Sequence, residues 1–467
     1  MKQFLLLFVF IISFSGIHSQ ENLPTDFLSK EFHKGRRDAF RSLMPANSVA
    51  VVFSYPERVF SKDINYTYHA NPDLYYLTGY KEPDAVLLLF KEPQGTEKYN
   101  EVLFVRERNA AQETWTGRRL GVEGVKSKLG LTTVYNGKDF NSFVIDFKKF
   151  DKIIYDKIPT DLGKNKSGFD LFGLIESFKS KASITAENEA SVTLFDNITN
   201  SLREIKTPEE VDLMRKSVKL SCIAHNEVMK AVGPDMSENE ADGIHRYIHR
   251  HYGAEDEGYP PIVGAGANGC ILHYGENNAT KMDNQLLLMD VGSEYHGYSA
   301  DVTRTVPANG KFTEEQKAIY QLVYEAQEEV FKICKIGTPF QDLNKRAREV
   351  ITAGLIKLGI IKDAKDVRIY YPHSCSHFLG LDVHDKGNYA GTLKENMIFT
   401  VEPGIYIPAN SNCDKKWWNI GVRIEDDILI TKNSYENLSA ESPRKWQDVE
   451  ALAKQKSTFN EMKFPKI

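Results

Sequence analysis

The chain carries no surplus of positive charge: Lys+Arg 59 stand against Asp+Glu 64, a formal net charge of −5. That balance offers no electrostatic footprint for a polyanion, so nucleic acid is excluded as an expected partner. Cysteine is scarce. The five present, Cys222, Cys270, Cys334, Cys375 and Cys413, are an odd, sparse set unlike a disulfide framework, with room for one or two bridges at most. Apolar runs long enough to span a bilayer are missing. The one extended apolar stretch, Phe4 to Phe14, follows Lys2 and precedes Gly16-Ile17-His18-Ser19. This is the pattern of a signal peptide, residues 1–19, cut after Ser19 to leave Gln20 first. The expectation is an exported protein, periplasmic or secreted, with no stable membrane span once the signal is removed. His-Glu-x-x-His is also absent, which removes the single-zinc protease helix.

What is present is the composition of a soluble globular protein, 41% hydrophobic, 26% charged and 11% aromatic, long enough for two or three domains with complete cores. Residues 20–200 read as a first, α/β domain. A helical pattern from Phe32 to Met44 stops before Pro45, and strand-like runs follow at 48–54, 85–90 and 101–105. No acid or histidine cluster there has metal-ligand spacing. From 201 to 440 the pattern changes. Thr207-Pro208-Glu209-Glu210 is a capping box with proline at the first helical position, opening a helix toward Gly233. A second box, Ser237-Glu238-Asn239-Glu240, opens a helix that ends near Gly253, and strand-rich sequence runs from Pro261 to Val306. The same order returns: a helix from Thr313-Glu314-Glu315-Gln316, a break at Gly337-Thr338-Pro339, a helix from Phe340 to Leu358, then strands from Arg368 to Ile430. Two halves of equal element order, though not of equal residues, are predicted. Residues 441–467 form a polar tail expected at the surface.

Five residues with metal-ligating side chains recur in this second domain: Asp290, Asp301, His377, Glu402 and Glu425. Each is predicted within a strand-like segment (LLLMDVG, YSADVTRT, SCSHFLGLDVHD, IFTVEPGIYI and GVRIEDDILI). An acid inside an apolar strand is costly to bury alone, and a divalent ion compensates several at once. Four carboxylates match two divalent cations in charge, and one imidazole completes an oxygen-rich cage of the type that activates water. Asp290 and Asp301 flank VGSEYHGYSA, so two antiparallel strands joined by that turn would bring both carboxylates to one end. Strand periodicity puts His373 and His377 on one face, with His384 needing a bend at Gly380. Glu402-Pro403-Gly404 reads as a turn at a strand end. Arg423 shares a strand face with Glu425, to pair with a carboxylate or to hold a substrate oxygen.

The ordered set MDVG, SADVTRT, HFLGLDVHD, VEPG and GVRIED resembles the metallopeptidases of the pita-bread fold, and among them the Xaa-Pro aminopeptidases (aminopeptidase P). RRDAFRSLMPANSVAVVF and NPDLYYLTGYKEPDAVLLL resemble that family's N-terminal domain. The likeness covers nearly the whole mature chain. It implies an α/β (α+β) architecture, a pita-bread domain of two helix-helix-strand halves behind a smaller N-terminal α/β domain. It implies a hydrolase that releases the first residue of peptides with proline second, using two divalent metal ions, manganese ahead of zinc or cobalt. By resemblance Asp301 and Glu425 bridge the ions, Asp290 chelates one, His377 and Glu402 bind the other, and a water shared by both attacks the carbonyl. Glu402 then moves a proton to the proline nitrogen. His273, His373, His384 and Arg423 match catalytic and substrate-binding positions, Tyr406 lies beside them, and Tyr75 and Tyr76 are candidate aromatics of the cavity rim. A homodimer or homotetramer is expected. The alternative is prolidase, which cleaves Xaa-Pro dipeptides with the same ligands; more distant is an inactive binding protein of this fold.

Overall fold

Continuously apolar runs in the first region assemble into one five-stranded sheet of order Val134–Asn136, Tyr99–Val105, Val86–Gln94, Ser48–Phe53 and Lys152–Tyr155. The computed structural model describes residues 24–160, 162 and 168–462, so the expected signal segment lies outside the described residues. The inner pairs of the sheet are antiparallel and each outer strand runs parallel to its neighbour. Ser48–Phe53 is buried at every position, which explains an apolar run without alternation: both faces are covered. Ala50 and Val52 meet Phe40 and Phe195 on one face, while Val49, Val51 and Phe53 meet Leu174, Ile175 and Phe178 on the other.

In the second region the capping boxes at Thr207 and Thr313 close reciprocally, whereas at Ser237 only half of the expected box forms, the Glu240 amide donating to the Ser237 hydroxyl without a return bond from the Glu240 side chain. Thr207 accepts from the Glu210 amide and the Glu210 side chain returns to the Thr207 amide, opening the helix Pro208–Ala231. Thr313 and Gln316 repeat the arrangement ahead of Glu314–Phe331. The first helix packs on Glu238–His251 and the second on Phe340–Lys357. The first pair packs through Glu238–His251 on Ile262–Ala265, the second through Glu314–Phe331 on the two-stranded sheet of Gly404–Ile407 and Ile420–Arg423, and each half holds a three-stranded sheet. The first sheet is Thr303–Pro307, Leu286–Asp290 and Ile262–Ala265; the second is Ile398–Val401, Asp426–Ile430 and Tyr435–Asn437. The two halves share one core, in which Val228, Ile244, Met289, Val323, Ile351 and Ile428 all take part. They join at an isolated bridge between Thr303 and Glu425. The site is built around that seam.

Two local expectations change. Leu286–Asp290 and Thr303–Pro307 do pair antiparallel, Asp290 opposite Thr303, but the connection is no simple turn. It forms its own hairpin, Ser293–Tyr295 with Tyr298–Ser299, turning through His296 and Gly297 at φ of 52° and 89° and pairing with Asp256–Glu257. Buried Ser217 and Ser221 hold its base through Ser293. The segment carrying the three histidines is not a strand. It runs antiparallel beside Ile398–Val401 through the bonds Leu379 N to Ile398 O, Thr400 N to His377 O and Glu402 N to Cys375 O. The His377 amide, however, donates to the Thr400 hydroxyl at 3.2 Å, and the chain folds back after Gly380, where a Cβ would lie 2.1 Å from Asp385 Oδ2. The tail is docked rather than loose: Trp446–Leu452 is a helix whose Val449 is fully buried. All five cysteines are free thiols. Among the described residues no helix is long and apolar enough to cross a membrane.

Candidate active site

Four acids and a histidine from five chain segments converge at the seam between the halves. Asp290 ends a strand whose preceding residues Leu286 to Met289 are buried. Asp301 follows the inserted hairpin, with its amide held by Asp427 Oδ2 at 3.1 Å. Glu425 sits at the bridge to Thr303, whose hydroxyl donates to its carboxylate. Glu402 follows Ile398–Val401 directly. Ligating atoms of Asp301, His377 and Glu425 all lie within 4.8 Å of one another. His377 Nε2 stands 3.3 Å from Asp301 Oδ2 and 3.5 Å from Glu402 Oε1. Its Nδ1–H donates to Phe378 O at 3.1 Å, which leaves Nε2 as the free ligating nitrogen.

Behind these residues lies a supporting layer that the sequence did not disclose. The Tyr259 hydroxyl reaches Asp290 Oδ1 at 2.5 Å and Asp301 Oδ1 at 2.6 Å, tying the two carboxylates together. Gln327, from the helix Glu314–Phe331, donates to Val401 O at 2.9 Å and Ile424 O at 3.2 Å. It thereby fixes the spacing of the backbones that carry Glu402 and Glu425. Fully buried Arg304 holds Glu425 O at 2.6 Å and Asp426 Oδ1 at 2.7 Å. The only sequence signal for Tyr259 is its stiff setting before Pro260-Pro261; Gln327 and Arg304 look like ordinary helix and strand residues.

His273, His373, His384 and Arg423 line the same cavity of about 990 Å³ as Asp290, Asp301, His377, Glu402 and Glu425. The His384 ring packs edge-on to His377 at 4.4 Å. Arg423 pairs with Asp290, and its Nη1 donates to the Tyr406 hydroxyl at 2.8 Å. That hydroxyl lies 2.9 Å from His373 Nε2. Tyr406 therefore stands behind the cavity wall and reaches the site through His373 and Arg423. Tyr75 and Tyr76 are not rim aromatics. Both are buried, with their hydroxyls donating to His296 O and Leu202 O, because they fill the contact between the two regions.

The electrostatics show what the site lacks. Burial, reinforced by neighbouring carboxylates, pushes Glu402 up to about 8 and Asp290 to about 6, even against Arg423, and raises Glu425 well above the carboxylate range. Burial would raise Asp301 too, but hydrogen bonds from His377 and Tyr259 prevail and hold it low. His377 is held up at about 9: burial opposes its charge, and Asp301 and Glu402 outweigh the burial. One guanidinium and one imidazole cannot neutralise four buried carboxylates, whereas two divalent cations can. The oxygen-rich donor set with a single imidazole fits such ions.

The chain is similar to known proteins along most of its length. The model of metallopeptidase family M24 matches residues 212–432, and that of the aminopeptidase P N-terminal domain matches residues 33–155. The Xaa-Pro aminopeptidase of Escherichia coli (strain K12) is 36% identical over 447 residues, which cover 91% of this chain and 98% of the relative. That of Haemophilus influenzae is 34% identical over 436 residues, covering 91% and 97%. The solved structure of aminopeptidase P from E. coli with the inhibitor Pro-Leu superposes with a TM-score of 0.81 at 34% identity, over 91% of this chain and 98% of that one.

Proposed function

Because the chain belongs to metallopeptidase family M24, we propose that it is an Xaa-Pro aminopeptidase, a metal-dependent hydrolase releasing the first residue of peptides whose second residue is proline. The observation that carries this reading is the convergence of Asp290, Asp301, His377, Glu402 and Glu425 in one cavity with too little positive charge of its own. These five residues would hold two divalent metal ions. When bound, such ions supply Lewis acidity and a water acidified toward neutral pH.

The chain's own residues do the rest. Tyr259 and Thr303 orient carboxylate oxygens toward the cavity. Glu402 has one oxygen beside His377 and the other 3.6 Å from His373 Nδ1, a position from which it accepts a proton from the attacking water and delivers it to the departing proline nitrogen. His273 and His384, on the cavity wall, are placed to donate hydrogen bonds to the oxygen of the tetrahedral intermediate. Arg423 acts through Asp290 and Tyr406, holding one carboxylate and the His373 ring in place. The bond to proline is a tertiary amide with no N–H for an ordinary peptidase to grip, which accounts for the need of a specialised enzyme.

Manganese is the ion this donor set suits best, since it holds four carboxylates, one imidazole and no thiolate. Export through residues 1–19 rests on the sequence pattern of that segment. Self-association into a dimer or tetramer is supported by one contiguous apolar patch left in solvent, on the paired strands Val59–Ser61 and Ile64–Asn65, where exposed Val59, Phe60 and Ile64 adjoin Tyr66, whose ring packs on Phe60 at 5.0 Å. Product analysis tests the activity. Ala-Pro-Ala-Ala should yield free alanine and Pro-Ala-Ala, lose turnover on chelation, and regain it with added manganese. Cleavage of Ala-Pro dipeptide alone would make the protein a prolidase instead.

A further inference from the structure

The cavity has an outer wall for which the catalytic chemistry gives no use. Its charged lining residues divide sharply. The acids that line it are Asp290, Asp301, Glu402 and Glu425, all at the floor; the remaining charges, Arg423 apart, are Lys345, Arg348 and Arg368. Lys345 and Arg348 lie on the helix Phe340–Lys357 together with Gln341 and Asn344, spaced to share the face that looks into the cavity. Arg368 comes from the short helix Val367–Tyr370 next to it. Lys345 and Arg368 are exposed and Arg348 half-exposed, which sets this wall at the mouth, whereas the floor acids are buried or nearly so.

Arg346, between Lys345 and Arg348 on the same helix, is paired: it bonds Glu329 and Glu349 across the outer surface. No acid among the described residues lies within ion-pair distance of Lys345, Arg348 or Arg368, and Arg348 rests instead over the Tyr371 ring at 5.9 Å. Three unpaired cations therefore face inward over a cavity whose only anions are committed at the floor. An exopeptidase of this geometry holds residue one and the scissile bond at the floor, so everything after the proline must leave across the mouth.

Building on the aminopeptidase reading, we propose that Lys345, Arg348 and Arg368 form a specificity wall for a carboxylate on the leaving part of the substrate. The ligand chemistry is a carboxylate two or more residues beyond the scissile bond. It comes either from the C-terminus of a short peptide or from an Asp or Glu side chain in a longer one. The wall steers and retains such substrates by charge, so its effect falls on KM and weakens with salt.

Three substrates separate the outcomes: Ala-Pro-Ala-Ala as the free acid, the same peptide as its C-terminal amide, and the amide of Ala-Pro-Glu-Ala, assayed on the metal-loaded full chain. A carboxylate-bearing peptide is expected to exceed the neutral amide in kcat/KM by about tenfold at low salt, carried by KM, with the ratio shrinking in about 0.5 M salt. An advantage for the free acid alone assigns the wall to short peptides; an advantage for the glutamyl amide alone assigns it to side chains. The single variants Lys345→Gln and Arg368→Gln should each lower the ratio, and Lys345→Glu should bring it to one or below. Equal rates for all three peptides on the unaltered protein would overturn the wall while leaving the aminopeptidase reading intact. Failure to cleave any of them with metal present would instead strike at that reading.

Discussion

Two buried ionic clusters lie close together in this molecule and behave in opposite ways. The first joins the N-terminal region to the catalytic one. Arg203 Nη1 meets Asp73 Oδ1 at 2.9 Å and its Nη2 reaches Asp382 at 2.7 Å and also Asp385. Lys206 meets Asp385 at 2.8 Å, and Lys386 meets Asp73 at 3.0 Å. Three cations face the buried Asp73 and Asp385 together with the more exposed Asp382 and Asp196, and the two buried carboxylates are held below the usual carboxylate range although burial alone would raise them, while burial raises Asp382. The second cluster is the site, where four carboxylates face Arg423 and His377 and three of the four are driven up. Burial is common to both. What distinguishes the functional cluster is that the chain does not supply its missing positive charge.

The largest test of that contrast is Glu425→Gln, which preserves shape and a partner for Thr303 while removing one charge. Activity is expected to fall by at least about a thousandfold, with bound metal reduced on elemental analysis. Thermal stability of the metal-free protein should not drop, because burial among other carboxylates already favours the uncharged form of Glu425, which glutamine imitates. A clear loss of metal-free stability would mean that the site is internally balanced after all.

Arg203→Met is the mirror experiment. It leaves buried carboxylates without their cation, and a loss of about 3–5 kcal/mol is expected in denaturant unfolding, with or without metal. A change below about 1 kcal/mol would place this cluster among weak surface pairs.

A smaller effect concerns histidines kept uncharged by burial. His33 is held at about 4 and His245 at about 3, below the ordinary 6.5, burial being the main cause in both. The unfolded chain therefore takes up protons first as pH falls. Their contribution is complete above pH 6.5 and is lost progressively down to about pH 4 for His33, roughly 3 kcal/mol, and down to about pH 3 for His245. Unfolding measured from pH 7 to 4 should show this decline, and His33→Gln should flatten part of it; an unchanged slope in that variant would remove His33 from the account.

The sequence made the site legible because acids stand out against apolar strands: MDVG, VEPG and RIED carry their contrast in a few letters. Helix starts at Thr207 and Thr313 were equally plain, since capping is local chemistry. Legibility failed where position depends on partners distant in the chain. The histidine segment pairs with Ile398–Val401 yet diverts an amide to a hydroxyl. The link between Asp290 and Asp301 folds into a hairpin because helix serines hold it. Tyr259, Gln327 and the basic wall bear on the site only through three-dimensional placement, and no spacing in the chain marks them.

Because Asp382 and Asp385 flank His384 and both grip Arg203, while Asp73 of the N-terminal region grips it too, one wall of the reaction chamber is fastened from outside the catalytic half. A fragment beginning near residue 208 would lose that fastening, and with it the setting of the loop that places His384 on the cavity wall beside His377. The front portion of the chain is thus a structural dependency of the chemistry, and attempts to shorten this protein to its metal-holding portion would have to rebuild the anchor before they could recover turnover.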